Sequence, residues 1–234
     1  MNENNVHDKG VYRHQINMSK ITPDRDSYLM DIVSGKKVVH IGCADSPFTE
    51  EKLISGDLLH EKIYGKASRI IGVDVDVHSI NYLRSKRPNW ELVCADIQTD
   101  SLKDVLEGFD IVLFPEVIEH LSNPGLFLDG LKKSMDRESL LVITTPNAFS
   151  WRSSLRAFYG VEVLHQDHVL SFTPSTIKQL LFRHGFSVCD MVGYGKGWSP
   201  NVLKRLLSQP IRMLHRFNNA TIDGLIVFAK KIDT

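Results

Sequence analysis

No C-x-x-C pair occurs in this chain: its three cysteines, Cys43, Cys94 and Cys189, lie far apart. A sparse, odd set argues against a disulfide framework and for reduced thiols in a cytoplasmic protein. No apolar run reaches the roughly 18 residues that a membrane helix needs. The opening MNENNVHDKG is polar, which argues against a signal peptide. Charge of neither sign dominates, because 28 Lys and Arg face 28 Asp and Glu. Without a global field to gather a polyanion, the balance weighs against a nucleic-acid partner. Repeats and low-complexity runs are also missing. The remainder is ordinary for a globular chain: 234 residues, 42% hydrophobic and 24% charged, enough for one α/β domain.

What is present is an alternation of short apolar runs with helical patterns. Strands are expected at 37–42, 69–74, 90–95, 109–114, 140–144, 186–192 and 221–230. Helices are expected between them, with Thr49, Asp76 and Thr173 as N-caps, and with Pro174 in a first turn. This order implies a doubly wound, mostly parallel, seven-stranded sheet with helices on both faces and an antiparallel last strand. Residues 1–23 show no period and read as an N-terminal arm or cover. The domain then runs over 24–234, with a lid near 147–172 and an insertion at 193–220.

In such sheets the ligand lies outside the carboxyl ends of the strands, at the switch point. The stretch KKVVHIGCADS runs from a strand into a turn at Gly42, but Ala44 and Ser46 stand where a Gly-rich turn has its later glycines. Acids follow the next two strands, at Asp74 and Asp96. Asp74 suits a ribose diol and Asp96 an adenine amine, although both acids could simply cap helices. The run EVIEHL offers Glu116, Glu119 and His120. On a helical turn these would be i, i+3 and i+4, on one face, as ligands for a divalent cation. A fourth ligand would come from HQDH, with His168 preferred to His165.

The pieces VVHIGCADS, IIGVDVD, CADI, FDIVLFPEVIEHL, LLVITTPN and FTPSTIKQLLFRHGF together resemble the class I S-adenosylmethionine-dependent methyltransferases, over about residues 36–192. The run FDIVLFPEVIEHL resembles the subgroup of ubiquinone-pathway O-methyltransferases and of many glycan-biosynthesis enzymes. HIGCADSPFTEEKL is most similar to its glycan-associated members. The resemblance implies S-adenosylmethionine in the cleft and O-methylation of a sugar, glycan or other small hydroxyl compound. The candidate cofactor-binding residues are His40, Gly42, Cys43, Ala44, Asp74, Val75, Asp96, Ile97 and Glu116. The family usually has an acid at the place of His40. Cys43 reads as a small buried residue, not a nucleophile.

Glu116, Glu119 and His120 are the candidate catalytic residues. In the resemblance to small-RNA 3′-terminal 2′-O-methyltransferases, the E-x-x-E-H run and a later His bind a metal. That implies Glu116, Glu119, His120 and His168 around Mn²⁺ or Mg²⁺, lowering the acceptor's pKa. Two other readings stand beside it: His120 alone as general base, or Glu119 and His120 as helix anchors. Rival functions are an RNA-end 2′-O-methyltransferase, a nicotinamide oxidoreductase that lacks its G-x-G-x-x-G turn, and a non-catalytic binding module. The basic, amphipathic stretch at 202–217 suits either a packed helix or a peripheral membrane contact.

Overall fold

The computed structural model describes residues 16, 18–195 and 219–232. Its sheet contains β1 (Lys20–Thr22), β2 (Lys37–Ile41), β3 (Arg69–Asp74), β4 (Glu91–Cys94), β5 (Ile111–Pro115), β6 (Leu140–Pro146), β7 (Phe186–Tyr194) and β8 (Gly224–Lys231). The order is β1-β7-β8-β6-β5-β2-β3-β4. Only β8 runs antiparallel, against both β6 and β7, as expected for the last strand. The expected count of seven is corrected to eight. The added strand is the three-residue β1, parallel to β7 with Ile21 opposite Gly193. Three residues are too few to display a period-2 pattern, so the sequence carries no signal for it.

The sheet is covered on both faces, which is why its strands read as near-continuous apolar runs. On one face Val39, Ile41 and Phe114 pack with Phe127 and Leu131 of α6 (Pro124–Ser134) and Ile177 and Leu181 of α8 (Pro174–Arg183). On the other, Val38, Ile70 and Leu113 meet Leu29 and Val33 of α1 (Arg25–Val33) and Ile63 of α3 (Leu59–Tyr64). Adjacent Val38 and Val39 thus serve opposite cores, as strand alternation requires.

Helix starts follow side-chain chemistry. The Asp76 carboxylate accepts from His78 N at the head of α4 (Val77–Lys86), and Asn123 does the same for Leu126 N at α6. Thr173 and Thr176 form a capping box, with Pro174 in the first turn of α8. Thr49 is instead the first residue of α2 (Thr49–Ser55), and its buried hydroxyl donates to Ser79 Oγ at 2.8 Å. Among the described residues the other α-helices are α5 (Lys103–Leu106) and α7 (Trp151–Phe158).

β2 pairs with β3 on one side and β5 on the other, so the chain reverses its winding direction there. The switch point lies between the tips of β2 and β5. Most of the expected insertion, and all of 202–217, lie outside the described residues. Among the described residues, no helix is long and apolar enough to cross a membrane.

Candidate active site

The loop after β2 is fixed by the tip of β3. Gly42 N and Cys43 N donate to Val73 O at 2.8 and 3.2 Å. Ala44 N donates to Asp74 Oδ2 at 2.9 Å, and Asp76 N to Asp74 Oδ1 at 3.1 Å. Gly42 has φ 79°, and any Cβ there would collide with the Val117 side chain from the turn after β5. Only glycine satisfies both conditions. Burial raises the pKa of Asp74, and the Asp76 and Ala44 amides offset that rise only in part. Each Asp74 oxygen has accepted one backbone hydrogen and retains a further lone pair.

Val75 is exposed, and Asp96 and Ile97 are partly exposed at the neighbouring tip of β4. The Asp96 carboxylate accepts from Gln98 N at 2.9 Å, and Ala95 N donates to Asp74 O at 3.0 Å, which ties this tip to that of β3. Gly42, Ala44, Asp74, Asp96 and Ile97 therefore belong to one contiguous rim of strand ends. Cys43 is buried, and burial pushes its thiol well up, away from the nucleophilic thiolate.

His40 departs from the rim. Its ring is buried against α3, stacked on His60 with centroids 5.2 Å apart and Nδ1 atoms 3.0 Å apart. Trp90 lies edge-on to His60 at 4.7 Å. Burial, then the neighbouring His60, drives His40 well below its ordinary pKa, and burial takes His60 down to about 3. Both imidazoles are neutral, so one Nδ1 donates and the other accepts.

The expected single helical face of Glu116, Glu119 and His120 does not form. Glu116 has φ 52° and precedes a one-turn 3₁₀ segment, Ile118–His120, so no α-helical phase connects the three. The Glu116 carboxylate accepts from Tyr194 Oη at 2.6 Å and Thr144 Oγ1 at 3.0 Å, and lies 3.9 Å from Arg25 Nη1. Gly224 makes room for Tyr194, since a Cβ there would overlap its ring. Burial opposes the charge on Arg25, but Glu116 and Asp26 outweigh it and raise its pKa. Burial and the Glu116 charge push the Tyr194 hydroxyl well up. Glu119, buried, accepts from Thr145 Oγ1 at 3.1 Å.

The histidines are brought together. Val169 N and Leu170 N donate to Glu119 O at 3.0 and 3.1 Å, hooking the HQDH segment onto the 3₁₀ turn. Rings of His120 and His168 are 4.6 Å apart, and donor atoms of His120, His165 and His168 all lie within 4.8 Å of one another. His120 Nδ1 is 3.2 Å from Asp167 O. A carbonyl can only accept, so Nδ1 is the donor in this contact, and in the neutral ring Nε2 is the nitrogen with the lone pair. The expected metal set is thus changed: His120 and His168 converge with His165, while the Glu116 and Glu119 carboxylates do not belong to this group.

Beside the cluster is a cavity of about 900 Å³. Glu119, His165 and His168 line one end, Asn147 and Asp223 its floor, and α7 with the segment after it another wall. Arg25, Tyr194 and Thr145 were not singled out from sequence. The Tyr194–Glu116 contact spans 78 residues and depends on sheet order, so no local pattern announces it.

A family model described as a methyltransferase domain matches residues 12–190. The chain belongs to this family. It is an S-adenosylmethionine-dependent methyltransferase. Several of its relatives are named ubiquinone biosynthesis O-methyltransferase. The one from Bartonella bacilliformis is 26% identical over 179 residues, 73% of this chain and 67% of the relative. The one from Bartonella quintana is 26% identical over 206 residues, 79% of this chain and 78% of the relative. Solved structures share the fold of this methyltransferase. A SAM dependent methyltransferase from Archaeoglobus fulgidus gives a TM-score of 0.53 at 22% identity, covering 88% of this chain and 90% of the other. The N-methyltransferase NodS from Bradyrhizobium japonicum, in complex with S-adenosyl-l-homocysteine, gives 0.53 at 17%, covering 89% and 86%.

Proposed function

We propose that this methyltransferase moves the methyl group of S-adenosylmethionine to a hydroxyl oxygen of a small acceptor, a sugar or glycan hydroxyl or a comparable alcohol or phenol, seated in the cavity against α7. One observation carries the reading: His120, its Nδ1 directed at Asp167 O, offers Nε2 as a base in a cluster whose other two members, His165 and His168, line the cavity. The relatives named as O-methyltransferases point the same way.

The rim of strand ends fits the donor. Asp74 retains lone pairs for a ribose diol, Asp96 and Ile97 stand at the adenine end, and Gly42 lets the backbone come close. Arg25 and Glu116 offer one charge of each sign, matching the methionyl carboxylate and ammonium. Attack is in line: the acceptor oxygen forms a bond to the methyl carbon as the carbon–sulfur bond breaks, and the electron pair leaves on the thioether of S-adenosylhomocysteine. The acceptor's proton passes to His120 Nε2. Positioning supplies most of the acceleration, because the sulfonium is already a good leaving group.

A divalent cation also fits the histidine cluster. Three imidazole nitrogens within 4.8 Å of one another suit Zn²⁺, Fe²⁺ or Mn²⁺ better than Mg²⁺. His120, His165 and His168 would hold it, and it would supply Lewis acidity toward the acceptor oxygen.

The test uses radiolabelled S-adenosylmethionine with small-molecule and cell-envelope extracts. His120→Asn should lower methyl transfer by about 10²- to 10⁴-fold while calorimetry shows unchanged donor binding. Full activity in that variant would remove His120 from the mechanism. Metal-free protein made with a chelator, then titrated with Mn²⁺ or Zn²⁺, separates the cation reading from the unassisted base.

A further inference from the structure

Helix α7 brings to the cavity a charge pattern that methyl transfer does not itself require. Helix α7 has no buried residue, yet Arg152, Ser153, Arg156 and Ala157 all line the cavity. Arg152 and Arg156 are one turn apart and so share a helix face. Arg152 Nη1 lies 3.6 Å from Oδ2 of Asp223, a carboxylate only 8% exposed, which anchors the first guanidinium to the cavity floor. Among the described residues no carboxylate pairs with Arg156. Ser150, Ser153 and Ser154 add three hydroxyls at the head of the same helix.

Of the acids that line the cavity, none pairs with Arg156. Glu119 is buried and bound by Thr145, Asp223 faces Arg152, and Glu162 sits in the exposed segment beyond the helix. The segment that continues the arginine wall is apolar, with Val161, Val163 and Leu164 half exposed. Two planar guanidiniums one turn apart make a fork suited to the paired oxygens of a carboxylate or phosphate.

We infer that the acceptor carries an anionic group, a carboxylate or a phosphate, in addition to its reacting hydroxyl, and that Arg152 and Arg156 hold that anion while the hydroxyl faces the histidine end. This rests on the proposed O-methyl transfer and names the class of its substrate. The arginines are positioning residues: they set which hydroxyl reaches the donor and take no part in the bond changes.

The test compares matched probes on the protein loaded with S-adenosylhomocysteine. 3,4-Dihydroxybenzoate is set against catechol, and glucose 6-phosphate against glucose, with binding read by calorimetry. In at least one pair the anionic member should bind 10-fold or more tightly than its neutral twin, and the pair that responds tells carboxylate from phosphate. Arg156→Gln, an exposed change that leaves the core untouched, should bring that ratio close to one. Equal binding within both pairs, or a preference unchanged by Arg156→Gln, overturns the inference. Binding avoids dependence on turnover, so the two readings fail separately. An Arg156-dependent anion preference without methyl transfer would keep the pocket and remove the reaction. Methylation confined to neutral acceptors would keep the reaction and remove the anion.

Discussion

At the scale of single residues, the site depends on groups whose usual freedom has been taken away. Asp74 spends one lone pair of each oxygen on the loop it holds, Gly42 is confined by Val117, and His120 is fixed in one tautomer by a carbonyl. The His40–His60 pair pays for its burial in pH sensitivity. Both rings are neutral inside the fold, whereas unfolded histidines protonate near 6.5. Below that pH the unfolded chain binds more protons, so stability must fall as pH drops from about 6.5 toward the folded value of about 3 for His60. The His60 imidazole contributes about 1.4 kcal/mol per pH unit in that window. Urea unfolding should therefore show a loss of at least roughly 2 kcal/mol between pH 7 and pH 5, a loss that shrinks in His60→Phe. Equal stability at the two pH values would mean that the rings are hydrated or already charged in the fold.

Among the elements, the strands and helix starts were legible and the turns were not. Strands buried on both faces must be written in apolar residues, and side-chain N-caps favour Asp and Thr, so β2 to β8 and the heads of α4 and α8 show in the sequence, whereas Thr49, expected as a cap, lies inside α2. β1 does not, because its three residues gain their place only from the edge of β7. The EVIEHL run misleads for a different reason. Its spacing suits an α-helix, but Glu116 takes a left-handed backbone and the turn winds as 3₁₀, which sends Glu116 to Tyr194 and Glu119 to Thr145. His165 joins the cluster through a hook of backbone hydrogen bonds that composition cannot reveal. The capping box offers a test at this scale. Thr173→Ala removes the acceptor for Thr176 N and should cost about 1 kcal/mol, read as a lower unfolding midpoint with unchanged slope. An unshifted midpoint would mean that α8 is held by Ile177 and Leu181 alone.

For the whole molecule, the arrangement is a division of labour across one switch point. In the proposed function the strand ends of β2, β3 and β4 receive the donor, while the turn after β5, the HQDH segment and α7 receive the acceptor. Neither half forms without the register of the central strands, so the apolar pattern announces where a site can lie and leaves its side-chain partners to the fold. The most direct measurement is calorimetric titration of S-adenosylmethionine into the wild-type protein and Asp74→Ala. The account requires one donor per chain in the wild type and at least about 10-fold weaker binding in the variant, a loss of two hydrogen bonds to a ribose diol. Equal affinity in the two proteins would place the donor somewhere other than the rim of strand ends.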